Sequence, residues 1–125
     1  MSYRTWFIAA FLGFSLTGAF AAQAADCKAL SSGLLDQLDR GDYTAAVSHF
    51  DDAMKVLSPD KLKSFWENLP RQWGARGGRD EARSVRQNGH DIVVTPLHFA
   101  NKVANAVVVC SASGQIAGFH VFAQP

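Results

Sequence analysis

The chain has 125 residues, 48% of them hydrophobic and 18% charged, with a formal net charge of +1. That length supports one domain with a modest core, and the near-neutral charge leaves no electrostatic footprint for nucleic acid or an anionic membrane surface. Arg4 is the only charged residue of the first 24, so without that segment the twelve basic side chains become eleven, against eleven acidic ones.

Residues 1–24 read as a secretory signal peptide. Arg4 supplies a positive start, the run from Trp6 to Phe20 is apolar or small, and Ala22-Gln23-Ala24 is an A-x-A cleavage site. As a membrane anchor the run is short and lacks a charged stop-transfer flank. Asp26 directly before Cys27 argues against lipid attachment. The expectation is an exported chain, periplasmic or secreted, with no stable membrane anchor and a single domain over residues 25–125.

Asp26 is placed to cap a first helix with apolar positions Ala29, Leu30, Leu34, Leu35 and Leu38, ending at Gly41. Asp42 then caps a second helix whose stripe is Tyr43, Ala46, Val47 and Phe50. Ser58-Pro59-Asp60 starts a third: Ser58 caps, Pro59 occupies the first helical position, and Asp60 complements the dipole. Leu62, Phe65, Trp66, Leu69 and Trp73 follow at spacings of three and four, and Pro70 is expected to kink or end that helix.

Gly41-Asp42-Tyr43 with Ala46, Phe50 and Met54, then Ser58-Pro59, Leu62 and Trp66, resembles domain of unknown function 3887. Residues 114–119, Gly-Gln-Ile-Ala-Gly-Phe, fit that family's closing strand, and the resemblance spans roughly residues 27–123. It implies a nuclear-transport-factor-2-like, cystatin-like α+β fold. The family brings no established catalytic residues to carry over.

Residues 74–80 read as a glycine- and arginine-rich connector. After it the hydrophobic period changes from 3.6 to 2. Four strands are expected near 81–87, 90–100, 103–112 and 115–123, with Asn88-Gly89 a strong type I′ hairpin signal. Helices followed by an antiparallel meander mean α+β, with the helices on one face of a curved four-stranded sheet. In that register the helix-covered face carries Val93, Thr95, Leu97, Phe99, Ala104, Ala106, Val108, Cys110, Ala117, Phe119, Val121 and Ala123. The other face carries Arg83, Val85, Ile92, Val94, His98, Val103, Asn105, Val107, Val109, Ile116, His120 and Phe122. That second face is too apolar for water and too polar for a plain core.

Cys27 and Cys110 form an even pair in an exported domain, which reads as a disulfide tying the first helix to the third strand. Two separate buried thiols are the alternative. A pocket between helices and sheet is expected from Phe50, Met54, Trp66, Trp73, Phe99 and Phe119, with no ionisable group in it and room for a small hydrophobic ligand. On the open face, Val94, His98, Asn105, Val107, Val109, His120 and Phe122 are the interface candidates, with Ile116 completing the apolar patch. A homodimer is the expected partner state.

Catalytic chemistry is thin. The mature chain has no G-x-S-x-G stretch, and neither cysteine has a histidine at a suggestive spacing. His49 and His90 read as solvated, and His98 with His120 lacks a third metal ligand, so no metal or cofactor is expected. The expectation is a non-catalytic binding or interaction domain. The alternative is a minimal enzyme of the same fold using His98, His120 or Arg86.

Overall fold

A computed structural model describes residues 19–125, with side chains from residue 26 onward. Most of the expected leader therefore lies outside the described residues. Helix α1 (Ala19–Asp39) begins upstream of Asp26, so the expected cap there is corrected. Alanines 21, 22, 24 and 25 have the highest helix propensity and carry the helix back through the A-x-A site. Its buried stripe is Cys27, Ser31, Leu34, Leu35 and Leu38, while Ala29 is exposed. The helix ends in a Schellman motif at Gly41 (φ 74°), with Gly41 N–H on the Leu38 carbonyl and Asp42 N–H on that of Gln37.

Helix α2 (Tyr43–Val47) is capped by Asp42, whose Oδ1 accepts from the Ala45 amide at 3.2 Å. It stops short of Phe50, against expectation. Ile116 takes the carbonyl of His49 at 2.8 Å and the amide of Asp51 at 2.9 Å, so sheet pairing claims the groups a longer helix would use. A 3₁₀ turn at Met54–Val56 leads to helix α3 (Pro59–Trp73), whose cap is Ser58 accepting from Lys61 N–H. Of the two outcomes expected at Pro70, a kink or an end, the end does not occur there. The helix runs three residues further and closes with Gly74 N–H on the Pro70 carbonyl. Pro70 forfeits one backbone bond, but buried Leu69 and the packing of Trp73 on Phe99 hold the last turn.

The chain is α+β, with three helices preceding a five-stranded antiparallel sheet. The strands are β1 (Arg76–Arg79), β2 (Arg83–Gln87), β3 (His90–Phe99), β4 (Val103–Cys110) and β5 (Ile116–Ala123). The expected four-stranded meander thus gains a strand. The segment read as a connector is β1, which pairs with the far end of β3 (Arg76 opposite Phe99), while β2 pairs with its near end (Arg83 opposite Val94). β1 and β2 together make one broken edge strand. Asn88 (φ 53°) and Gly89 (φ 78°) form the expected turn between β2 and β3.

The helix-facing side matches expectation through β3 and β4, where Val93, Leu97, Ala104, Ala106 and Val108 are fully buried. Alanines at 104 and 106 remove the bulk that would hold α1 off the sheet. The assignment fails at the start of β5. Ile116, expected on the open face, is 1% exposed and opposes Cys110 in the core. A β-bulge between the Val109 and Cys110 pairings inserts Ala117 as an extra residue, so the alternation shifts by one before Gly118. From Gly118 onward the expected faces hold. Cys27 and Cys110 are disulfide-bonded with Cα atoms 5.9 Å apart, joining α1 to β4.

Candidate functional site

The aromatic layer between helices and sheet forms as expected. Trp66 and Phe119 have ring centroids 6.5 Å apart, Phe65 meets Phe119 edge-on at 6.0 Å, and Trp73 meets Phe99 edge-on at 5.3 Å. Phe50 and Phe119 are consumed by the core, and Met54 packs half-buried against it. The concavity opens beside this layer. A cleft of about 450 Å³ lies where the end of α1, the start of α2 and the last turns of α3 meet β1 and β3. Trp66 and Phe99 line it, with Leu38, Leu69 and Pro70, but so do Tyr43, Asp39, Glu67, Arg40 and Arg76. The expectation of a cleft without ionisable groups is therefore corrected. Arg76 arrives on β1, Asp39 and Arg40 at the end of α1, Tyr43 at the start of α2, and Glu67 on α3 next to Trp66.

Arg76 dominates the cleft. Its guanidinium carbon sits 5.7 Å from the Trp66 ring centroid and 5.6 Å from that of Phe99, a cation held between two aromatic faces. Nη1 donates to the carbonyls of Gly77 (2.7 Å) and Gly78 (3.1 Å), and Nη2 to Asp39 Oδ2 at 3.4 Å. Nε is buried and has no partner among the described residues. Burial pulls the guanidinium below its ordinary pKa, Asp39 opposes that shift, and Arg79 adds to it. Arg79 in turn reaches Asp36 at 2.7 Å, so two arginines of β1 grip the last turns of α1.

Tyr43 stands at the rim, its hydroxyl 3.5 Å from Glu67 Oε1. Partial desolvation raises its pKa above 10.0, and the charge of Glu67, the hydrogen bond to it and the charge of Asp39 act in the same direction. The folded state therefore holds the phenolic proton more tightly than the unfolded chain. The resulting stability is present below the unfolded pKa and is lost as pH rises toward the folded one. Cleaved after Ala24, the chain keeps one tyrosine of its two. Its absorbance titration should then have a midpoint above 10.0, and Glu67→Gln should lower it. A midpoint at or below 10.0 in the folded protein refutes this electrostatic account.

On the open face the candidates share one surface but do not form one site. Val94, Val107 and His120 lie in a row across β3, β4 and β5, with Asn105 opposite Phe122 in the next. His98 opposes Val103, four residues along β4 from Val107, so the two imidazoles are separated by roughly 13 Å of strand. His98 Nε2 instead meets Asp80 Oδ1 at 2.9 Å, and Asn105 Oδ1 accepts from Gln124 at 2.9 Å. Arg86 faces the helix side, paired with Asp91 at 3.2 Å. His98, His120 and Arg86 thus have separate surroundings. Among the described residues no group of three or more His, Cys, Asp or Glu could hold a metal ion.

Comparison with protein families, curated proteins and solved structures finds no match to this chain. The resemblance to domain of unknown function 3887 rests on the quoted residues alone.

Proposed function

We propose that this chain is an exported, non-catalytic binding domain of the cystatin-like, nuclear-transport-factor-2-like kind, self-associating through its open sheet face. The carrying observation is that face. All three helices lie on the opposite side, while Ile92, Val94, Val107 and Val109 are only half-buried and Val85 and Phe122 are each 50% exposed. Strands about 4.8 Å apart with a rise of about 3.3 Å per residue give it a flat footprint on the order of 500 Å². Its corrugated accessible area is larger, in the range of the roughly 800 Å² per partner that a standard interface buries. A second copy presents the same apolar rows, so an isologous contact sets apolar residues against apolar residues.

The disulfide supports export to an oxidising compartment. No helix among the described residues is long and apolar enough to cross a membrane. The cleft offers Leu38, Leu69 and Pro70 to the apolar body of a small ligand, with Glu67 and the Arg76 guanidinium, held on Trp66 and Phe99, as its polar groups. Native mass spectrometry and sedimentation velocity at neutral pH test the reading. The wild type is expected as an oligomer, and Val107→Lys should remove the face contact by placing an unpaired charge at its centre. A wild-type monomer, or an assembly unchanged by Val107→Lys, overturns it.

A further inference from the structure

The two edges of the sheet are built differently. The β1–β2 edge is short, interrupted between Arg79 and Arg83, irregular in register, and loaded with Arg76, Arg79, Asp80, Glu81, Arg83 and Arg86. Breaks and charges of this kind are how sheets prevent unwanted pairing at an edge. The β5 edge has no such protection. Its sequence, IAGFHVFA, contains no Lys, Arg, Asp, Glu or Pro. Residues 49–51 bond to it at Ile116 and the 3₁₀ turn Met54–Val56 lies beside it, but neither hydrogen-bonds to it beyond Ile116.

The hydrogen-bond phase along β5 shows which groups are left over. Gln124 N–H donates to the Val103 carbonyl, so Gln124 directs its backbone groups toward β4. With a period of two, Phe122 and His120 do the same, and Phe119, Val121 and Ala123 direct theirs outward. Those outward amides and carbonyls have no protein partner among the described residues.

We propose that this edge pairs with the β5 of a second copy, antiparallel about a twofold axis at Val121, making one sheet continuous across two chains. An antiparallel strand pair is its own twofold, so the outward groups of Phe119, Val121 and Ala123 satisfy one another. Side chains complement in the same register. Buried Phe119 faces the small Ala123 of the other copy, Val121 faces Val121, and His120 faces Phe122 on the open side. No like charges oppose each other. This contact is independent of the open-face contact. Its axis is perpendicular to the sheet, whereas the face contact uses an axis in the plane between two sheets, and where the two axes intersect they close a four-chain assembly.

Single-cysteine crosslinking tests the register. The native cysteines are already bonded to each other, so an added thiol is the only reactive one among the described residues. In Val121→Cys the two thiols sit on the axis, with Cα atoms about 5.5 Å apart, within disulfide reach. In Ala123→Cys they are offset by four residues, roughly 13 Å, and out of reach. Mild oxidation should convert most Val121→Cys chains to double mass and leave Ala123→Cys chains single. Equal crosslinking of both variants, or none of either, overturns the proposal.

Val121→Pro supplies a second arm. Its ring removes an outward N–H, which an edge strand tolerates. It should halve the mass of the assembly while Val107→Lys, acting on the face, leaves the Val121→Cys crosslink intact. An assembly of unchanged mass in folded Val121→Pro, verified by circular dichroism, overturns the edge contact without touching the face reading.

Discussion

Replacing Cys27 and Cys110 together by alanine is expected to cost about 4–5 kcal/mol, most of it felt through the unfolded chain. The cysteines are 83 residues apart in sequence, and releasing a loop of that length restores denatured-state entropy of that order. Both are also in the core, at 1% and 4% exposure, so removing their sulfurs leaves the α1–β4 contact underfilled. A domain of this size has a total stability of about 5–15 kcal/mol, so the variant should sit near the folding threshold. Thermal unfolding of the double variant against wild type is the measurement, with an expected drop of roughly 20–30 °C. A drop of only a few degrees would mean that α1 is held by its apolar stripe and its two arginine contacts alone.

Trp66→Ala is expected to cost about 3–5 kcal/mol, the range for truncating a large aromatic in a packed core. Trp66 is 7% exposed, contacts Phe119 across the two layers, and forms one wall of the slot that holds Arg76. Its loss should also free Arg76 from half of its aromatic contact, worth about 0.5–2 kcal/mol. Denaturant unfolding of Trp66→Ala, of Arg76→Met and of the pair reads both quantities. The single Trp66 change carries the larger loss, and the pair falls short of the sum by the coupling energy. A Trp66→Ala cost below about 1 kcal/mol would show that the layer closes without it.

What could be read in the sequence is what local chemistry determines. Asp42 and Ser58 are caps because short side-chain acceptors before an apolar stripe satisfy first-turn amides. The faces of β3 and β4 follow from strict alternation, with Val93, Thr95, Leu97 and Phe99 inward on β3 and Ala104, Ala106, Val108 and Cys110 inward on β4. The cysteine pair follows from its even number and the compartment that the leader-like start leads one to expect. Apart from the start of α1, which alanine propensity moves, the misses share another cause, which is that a partner distant in sequence decides the local form.

Residues 76–79, RGGR, have no apolar alternation, and only the backbone of β3 makes them a strand. Residue 50 leaves its helical stripe because Ile116 competes for its neighbours' backbone groups. The charged cleft was illegible for the same reason. Nothing near Arg76 in sequence announces Trp66, Phe99 and Asp39, which are assembled from α3, β3 and α1. Bulges have no composition of their own, so the parity of Ile116 could not be read from alternation.

That bulge also governs how the chain tolerates changes in its own length. Elsewhere in β4 or β5, inserting or deleting one residue turns every side chain beyond it inside out, carrying Phe119 toward solvent and Phe122 into the core. Ala117 is different because it is the surplus residue of its pair: Gly118 opposes Val109 and Ile116 opposes Cys110. Excising it joins two residues already on opposite faces and leaves the order of inward and outward side chains intact. Position 117 is thus a spare place in the reading frame of the sheet, where lineages of this chain can differ by one residue while keeping the same core.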